Sequence, residues 1–417
     1  MEVLGMAMPL GFGWELRRLR GEAGFTLGDL AQEVNYSRSH LSRIERGEKR
    51  PSMDLARRCD TLFGAGGRLQ RLVGRYPSKR VERMRRAGKS MARRSPLTVG
   101  AASLIGFGSV DGERVDRPEG VSLTGPFLAQ LDQMRQLGQV TEPTALLDLL
   151  EAQTRTVTKL AVTSGSRDGA RLFVLAAHFA DFTGWMAQEA GDNESALGWT
   201  ASAVELAQAG GDRDLAFYAL VRRALVTFYD ADAEQTIALA SRAQESRLPF
   251  RIRGLAAQRE AQGHALIGDE HSCMRSLDRA RHLLDSASGR TGTGPVIGTS
   301  HLTDPAAMVT GWCLFDLGRP REAAEVFDRE CLGIAPQALR TRARYGLRRA
   351  LAHAAAGEIE HSCEIAGELL DMVIAVRSAT VTADLRRLAR ELARFRTNRS
   401  VRDLQPALAR ALHTIQA

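Results

Sequence analysis

The 417-residue sequence predicts an all-α protein in which a five-helix domain precedes an α-solenoid of helical hairpins. Three observations support this fold class. No segment after residue 123 alternates apolar and polar residues over a useful length, as a half-buried strand would. The first quarter divides into short helices that carry their own capping residues. In the remaining three-quarters, small turns recur at intervals between Ala-rich amphipathic runs.

The positive charge of the chain is concentrated at its N-terminus. Residues 1–95 hold 21 Lys and Arg against 10 Asp and Glu, whereas the rest of the chain holds 36 against 39. A basic segment beside a nearly neutral remainder is typical of a nucleic-acid-binding domain joined to a domain with another role.

Capping residues divide residues 13–74 into five helical segments. Thr26 opens the second with the spacing of a capping box, and 35–36 forms a turn of the length that joins two helices at a steep angle. Ser37 is suited to cap a third helix over 38–46. Leu41 and Ile44 keep the spacing of a core face, so the charged residues between them face outward.

The stretch "FTLGDLAQEVNYSRSHLSRIERGEKRPS", residues 25–52, resembles the lambda-repressor-like (XRE) helix-turn-helix family. In that family the third helix lies in the major groove of DNA. The resemblance implies that Arg38, Ser39 and Arg43 contact bases. It also implies phosphate contacts from Thr26, Ser37, His40, Ser42, Arg46, Lys49 and Arg50. Glu45 would be repelled by DNA, and the resemblance pairs it instead with Arg20 in a structural ion pair.

Residues 76–122 are predicted to form a basic linker with a short apolar segment between the N-terminal domain, 1–75, and the repeat domain, 123–417. Residues 75–94 carry nine Lys and Arg and one Glu. A run of this kind is usually a solvated linker, and the alternative is an arm that contacts the DNA backbone.

In the C-terminal three-quarters of the chain, five turns have the same pattern of small residues around them. They are Gly191–Asp192, Ala231–Asp232, Gly268–Asp269, Gly318–Arg319 and Gly357–Glu358. A small residue lies eight positions before and four positions after the second residue of each turn, which lets two helices approach closely. The series resembles tetratricopeptide repeats lengthened beyond the usual period of about 34. Helices at 124–160 and 382–414 are expected to cap the array.

No arrangement of residues in the sequence indicates catalysis, a cofactor or a metal site. The loop "SASGRTGTGPVIGTSHLTD", residues 286–304, lacks the G-K-[ST] of a phosphate-binding loop, and it is interpreted as an insertion between hairpins. Five scattered cysteines indicate a reducing compartment. The absence of a signal or spanning segment predicts a cytoplasmic protein with no membrane partner.

The repeat register places Trp185, Gln258, Gln262, Trp312 and Arg344 on a concave groove. This mixture suits a peptide, although a small molecule or a partner protein remains possible and both Trp could instead belong to the core. The layout is similar to peptide-pheromone-responsive regulators, as used in quorum sensing, and to actinobacterial regulators. The sequence therefore predicts a homodimeric transcriptional regulator that binds a double-stranded DNA operator. The alternative is an interaction adaptor that its N-terminal domain tethers to DNA.

Overall fold

The computed structural model describes residues 12–34, 36, 38–45, 49, 51–74, 122–288, 295–299 and 301–416. All regular elements within these ranges are helices. The N-terminal domain contains α1 (Phe12–Glu22), α2 (Leu27–Glu33), α3 (Arg38–Glu45), α4 (Met53–Phe63) and α5 (Arg68–Gly74). The predicted linker, 76–122, lies outside the described residues except for its last position.

Local hydrogen bonds fix the ends of the N-terminal helices. The Thr26 side chain accepts from the backbone N–H of Asp29, and the Asp29 carboxylate accepts from the backbone N–H of Thr26, which completes the capping box. Ser52 caps α4 in the same way through Leu55 N–H. The helices pack around a small apolar core that includes Leu16, Leu30, Leu41, Ile44 and Leu55.

The second domain is a succession of antiparallel helices. They are α6 (Thr124–Val140), α7 (Thr144–Thr163), α8 (Ser166–Glu189), α9 (Asn193–Ala209), α10 (Asp214–Tyr229), α11 (Ala233–Arg242), α12 (Phe250–Leu266), α13 (Glu270–Ser288), α14 (Pro305–Asp316), α15 (Pro320–Cys331), α16 (Leu339–Ala356), α17 (Ile359–Val376), α18 (Ala379–Leu392) and α19 (Arg399–Gln416). A short 3-10 helix, Ala393–Phe395, separates the last two.

Each of the five predicted turns joins the two helices of a hairpin, as the sequence phase indicates. Their first residues all have positive φ: 89° at Gly191, 58° at Ala231, 72° at Gly268, 83° at Gly318 and 93° at Gly357. Glycine adopts this backbone without the steric cost that a Cβ imposes. Ala231 is the exception among the five and carries that cost.

The small residues that flank the turns permit the close approach of paired helices. The Ser362 hydroxyl donates to the Ala350 carbonyl oxygen at 2.7 Å across one hairpin. At the first hairpin, a Cβ on Gly184 would lie 3.1 Å from the Ala196 carbonyl oxygen. The predicted repeat skeleton is therefore a set of tight backbone contacts.

The two segments expected to cap the array are helical. Residues 124–160 form two helices with a break before Thr144, and the C-terminal segment is broken by the 3-10 helix. Apolar side chains of the C-terminal segment, such as Leu385, Val401 and Leu408, are buried against the array itself. Their surface therefore covers the end of the solenoid.

The array curves until α16, the first helix of the fifth hairpin, meets the C-terminal end of α6. Arg340 at the start of α16 donates to the carbonyl oxygens of Gly138, at 2.6 Å, and Thr141, at 2.5 Å. Thr341 bonds to the Gln139 side-chain oxygen through both its backbone N–H and its hydroxyl. These partners are about 200 residues apart in the chain, so the repeat domain closes into a ring. None of the helices in the described part of the chain has the length and apolarity needed to cross a membrane.

We expect Ala231→Gly to stabilise the protein by about 1 kcal/mol, because it relieves the left-handed backbone of a residue that bears a Cβ. For a chain of this size the melting temperature should rise by about 2 °C. Gly357→Ala, at the equivalent turn, should lower it by a similar amount. Differential scanning calorimetry of both variants checks the pair, and a lower melting temperature for Ala231→Gly would contradict the prediction.

Candidate functional site

Helix α3 presents its basic residues to solvent and its apolar residues to the core. Leu41 is fully buried and Ile44 is 1% exposed, whereas Arg38 and Arg43 are exposed. The helix therefore has the orientation that a major-groove reader needs, with a guanidinium group near each end. Arg can recognise guanine through the O6 and N7 acceptors.

A further cation, Lys49, lies beside α3. Lys49 is exposed, and its Nζ lies 3.3 Å from His40 Nδ1. Partial burial, together with Lys49 and Arg43, lowers the pKa of His40. His40 is therefore a neutral hydrogen-bonding group at neutral pH, and the positive charge here comes from Lys49 and Arg43.

Some sequence-predicted contacts fall outside the description. Ser37, Arg46 and Arg50 lie outside the described residues, and of Ser39 only the helical backbone is described. Thr26 is exposed at the start of α2, and its hydroxyl oxygen and backbone N–H both take part in the capping box. Ser42 is half-buried on α3.

Arg20 and Glu45 form a two-pronged ion pair between α1 and the end of α3. Arg20 Nε lies 2.7 Å from one Glu45 oxygen and Arg20 Nη2 lies 3.0 Å from the other. The same guanidinium donates to the Phe25 carbonyl oxygen at 2.9 Å. The hydrogen bonds that Arg20 donates to Glu45 raise the pKa of Arg20. This geometry fixes α3 against the rest of the domain and withdraws the Glu45 carboxylate from the outward face.

The N-terminal domain docks on the repeat domain through a buried ion pair. Arg57 Nη2, on α4, lies 3.1 Å from Asp316 Oδ1 at the end of α14, and both side chains are almost fully buried. The Arg57 guanidinium also lies over the Phe315 ring, 4.4 Å from its centroid. Burial is the main cause that lowers the pKa of Arg57, to about 10. The Thr61 hydroxyl donates to the Gly318 carbonyl oxygen in the next turn at 2.7 Å.

A backbone contact lies beside this ion pair. Gly67, before α5, meets Gly268, in the turn between α12 and α13, so closely that a Cβ on Gly67 would lie 2.4 Å from the Gly268 carbonyl oxygen. Arg71 donates to that same oxygen at 2.6 Å. Two repeat turns therefore serve as the docking platform for the N-terminal domain.

The C-terminal end of the array completes the contact between the domains. Arg394 lies 3.4 Å from Asp54 and 4.8 Å from the centroid of the Tyr36 ring, which stands immediately before α3. Arg58 forms an ion pair with Glu391. The domain that carries α3 is thus held by α4, α5 and the turn before α3, while the outer face of α3 stays exposed.

The ring of the repeat domain encloses a cavity of about 170 Å³. Its walls come from α6 and from the first helix of each hairpin, α8, α10, α12, α14 and α16. Four of the five groove residues expected from the sequence line it, namely Trp185, Gln258, Trp312 and Arg344. The fifth, Gln262, is absent from the lining and fully buried, and its side-chain oxygen accepts from Arg259 at 2.6 Å.

The insertion between α13 and α14 borders the cavity. Gly298, Thr299, His301 and Leu302 are lining residues. Arg251 on α12 donates to the carbonyl oxygens of Ile297, at 2.6 Å, and Thr299, at 2.8 Å. These bonds hold the described part of the insertion over the helices that form the cavity wall.

Glu189 joins the two ends of the ring at the edge of the cavity. Its carboxylate is almost fully buried and accepts from Arg344 at 2.5 Å and from the Ser378 hydroxyl at 2.5 Å. Trp185 Nε1 donates to it at 3.1 Å, and Arg340 lies 3.4 Å away. Burial alone would raise the pKa of Glu189, but Arg344, Arg340 and the Ser378 hydrogen bond outweigh it and lower the pKa to about 2.

The fold also assembles a cluster that the sequence did not indicate. Asp328, His353 and His361 bring potential ligand atoms within 4.8 Å of one another. His353 Nε2 lies 3.0 Å from Asp328 and Nδ1 lies 2.5 Å from Glu358, while Arg349 Nε bonds to Asp328 at 2.5 Å. Both ring nitrogens and the carboxylate already have partners, so we interpret the cluster as an ion-pair network and assign no metal to it. The residues come from three helices, which is why no local spacing revealed them.

Comparison with known proteins identifies the N-terminal domain. Residues 12–72 match the family model of a helix-turn-helix domain, so this part of the chain supports a DNA-binding role. No curated protein is significantly similar to the chain. Among solved structures, a Rap protein crystallised with Competence and Sporulation Factor is similar, with 12% sequence identity and a TM-score of 0.41. The alignment covers 70% of this chain and 99% of the Rap chain.

We expect Glu189→Gln to destabilise the protein by about 3–5 kcal/mol near neutral pH, because it leaves Arg340 and Arg344 without their carboxylate. Since the pKa of Glu189 is lower in the folded state, its contribution is complete above about pH 4.5 and is lost as the pH falls towards 2. Urea denaturation at a series of pH values measures both effects. Glu368→Gln on α17, an exposed position, is the control. If the wild type and Glu189→Gln lost stability in parallel between pH 5 and 3, the assigned coupling would be wrong.

Proposed function

We propose that the chain is a sequence-specific DNA-binding transcriptional regulator whose repeat domain, residues 123–417, dimerises and holds an effector. The observation that carries the DNA-binding part is the helix-turn-helix domain with Arg38 and Arg43 exposed on α3. If the domain binds DNA as lambda-repressor-like (XRE) domains do, the residues that contact bases are Arg38, Ser39 and Arg43. Thr26, His40, Ser42 and Lys49 contact phosphates in the same mode, together with Ser37, Arg46 and Arg50. No catalytic role is proposed, and the protein is placed in the cytoplasm.

The support for an effector is the partly open cavity in the repeat domain. Such a cavity, with apolar walls and a few polar groups, is the usual form of a ligand site. Trp185, Gln258, Trp312 and Arg344 belong to its walls. The effector is a peptide, a small ligand or part of a partner protein.

The cavity and the DNA-binding domain share one helix. Trp312 lines the cavity from α14, and Asp316, one turn further on, pairs with Arg57 of the N-terminal domain. Arg348, whose Cζ lies 3.0 Å from the Trp312 ring centroid, pairs with Asp384 on α18. An effector that displaces Trp312 would therefore shift the end of α14 and alter how the DNA-binding domain is held. We propose this as the route of control.

The proposed dimer follows from the size of the DNA contact. A single module of this kind buries only about 600–1,000 Å² on DNA, which is usually too little for tight operator binding. Two modules related by a two-fold axis would read half-sites about 34 Å apart. The apolar side chains of the small N-terminal domain are used in its own core, so we assign the interface to the repeat domain.

Replacing Arg43 with Ala should weaken operator binding by about 1–3 kcal/mol and relax the preference at one base pair. Lys49→Ala should instead weaken binding to all sequences alike and reduce the slope of log K against log salt by about one. Selection of bound sites from a random DNA library, followed by salt titrations of the best site, measures both. The two variants control for each other because each removes one exposed cation from the same face.

The same experiment distinguishes a sequence-specific regulator from an adaptor that its N-terminal domain tethers to DNA. A tethered adaptor would bind DNA without base preference and with strong salt dependence, and Arg43→Ala would then resemble Lys49→Ala. That result would remove the sequence-specific regulator as the function.

Sedimentation equilibrium should give a dimer for the full chain and for residues 122–417 at micromolar concentration. Both proteins should dimerise because the proposed dimer interface lies in the repeat domain, which both contain. A monomeric 122–417 fragment beside a dimeric full chain would place the interface in the N-terminal domain or the linker.

A further inference from the structure

The walls of the central cavity carry more positive than negative charge. Five arginines line it: Arg135, Arg222, Arg259, Arg340 and Arg344. Asp181 is the one lining carboxylate in the described part of the chain, and it lies 3.3 Å from Arg222. Glu189, behind the wall, pairs with both Arg340 and Arg344. Arg135 lies 3.7 Å from Asp132. After these pairings the cavity keeps a formal excess of two positive charges.

Arg259 is the cation whose charge is least balanced. Among the described residues no carboxylate forms an ion pair with it, and its one hydrogen bond goes to the neutral Gln262 side chain. Burial lowers the pKa of Arg259, and the titratable neighbours that act on it are Tyr345, Tyr229, Tyr218 and Arg222. A desolvated cation without an anion is costly, so its retention in the wall calls for a negative partner.

Neutral donors in the same wall also lack partners. Trp312 Nε1, Gln258 Nε2 and the Tyr229 hydroxyl have no hydrogen-bond partner among the described residues. Trp312 is 3% exposed and Gln258 is 1% exposed. Buried donors are nearly always satisfied in folded proteins, so these three indicate an acceptor that the chain itself does not supply. All three residues line the cavity with Arg259.

The apolar part of the lining and the volume of the cavity limit the size and the polarity of the ligand beyond its negatively charged group. Aromatic and aliphatic side chains form much of the wall, including Tyr218, Tyr345, Leu225, Leu255 and Val309. The volume of about 170 Å³ is close to that of an engineered cavity of about 150 Å³ that binds benzene. There is room for one ring with a small polar group, or for one side chain of a peptide.

We infer that the cavity is a binding site for a small aromatic carboxylate, whose carboxylate is held by Arg259 with the Trp312 and Gln258 N–H donors and whose ring lies against the apolar wall. A carboxylate accepts two bonds from a guanidinium and further bonds from neutral donors. The inference deepens the proposed function, since it names the class of effector, and it rests on that function only for the consequence at DNA. It also narrows the peptide option to a peptide that inserts a single side chain.

Binding is tested on the full-length protein without DNA. Phenylacetate, phenylacetamide, phenethylamine and inorganic phosphate are compared at equal ionic strength by differential scanning fluorimetry and isothermal titration calorimetry. Phenylacetate should raise the melting temperature saturably by about 2 °C or more at concentrations well above its Kd. The neutral amide and the amine should give less than a tenth of its affinity. Equal affinity for the amide or the amine, an equal response to phosphate, or no response to phenylacetate would each overturn the inference.

Arg259→Gln separates a ligand-binding role from a structural one. The variant should lose the phenylacetate response and, without ligand, should melt at a higher temperature than the wild type, because an unbalanced charge on a half-buried residue has been removed. Trp312→Phe keeps the ring, removes the Nε1 donor and should weaken phenylacetate binding several-fold. Arg281→Gln, an exposed arginine on α13, is the matched control and should leave the response unchanged.

A retained phenylacetate response in Arg259→Gln would overturn the assignment of the carboxylate to Arg259. A lower melting temperature for Arg259→Gln than for the wild type would argue against an unbalanced charge at Arg259. If the variant did not fold, the selectivity of the wild type among the four compounds would still decide the ligand class. A negative result for phenylacetate binding would not affect the predicted effect of Arg43→Ala on base preference. Loss of base preference in the DNA experiment would likewise leave the calorimetric result standing, so the two failures can be told apart.

Discussion

The closed form of the repeat domain depends on the buried carboxylate of Glu189. It lies at the end of α8 and accepts from the hydroxyl that caps α18 and from an arginine of α16. Without this carboxylate, the guanidinium groups of Arg340 and Arg344 would be buried near one another with no anion between them. The carboxylate therefore makes it possible for the first and last hairpins to meet, and the central cavity exists because they do.

The same closure explains why the charged side chains of the cavity wall need partners. In an open solenoid the first helix of each hairpin faces bulk water, and its arginines are hydrated. When the ring closes, those side chains are partly withdrawn from water, and each then needs a partner inside the ring. Arg340 and Arg344 find one in Glu189, Arg222 finds one in Asp181, and Arg259 has only a neutral amide. Closure thus leaves Arg259 as the lining arginine without a carboxylate partner among the described residues.

The features predictable from the sequence are those set by neighbouring residues. Thr26 with Asp29 defines a capping box, and the glycine in four of the five repeat turns meets a backbone requirement that acts within four or five residues. Aligning the repeats on these turns predicts the residues of the concave groove, and four of the five line the cavity. Gln262 lies about one turn after Gln258, on nearly the same side of α12, but it is fully buried outside the lining and its side-chain oxygen accepts from Arg259. The pairing of Glu189 with Ser378 and of Arg57 with Asp316 joins positions 189 and 259 residues apart, and no local pattern encodes such contacts.

The docking of the N-terminal domain has a consequence for how such chains can diversify. Arg57 is buried against Asp316, and the Gly67 backbone meets that of Gly268 with no space for a side chain. A different helix-turn-helix domain spliced onto this ring would need an arginine and a glycine at the same two places. Otherwise it would leave Asp316 buried without its cation, or it would stand away from the platform. Exchange of the N-terminal domain between such chains is therefore constrained at this contact. On the proposed mode of DNA binding, substitution on the exposed face of α3 would change the base preference without disturbing the contact.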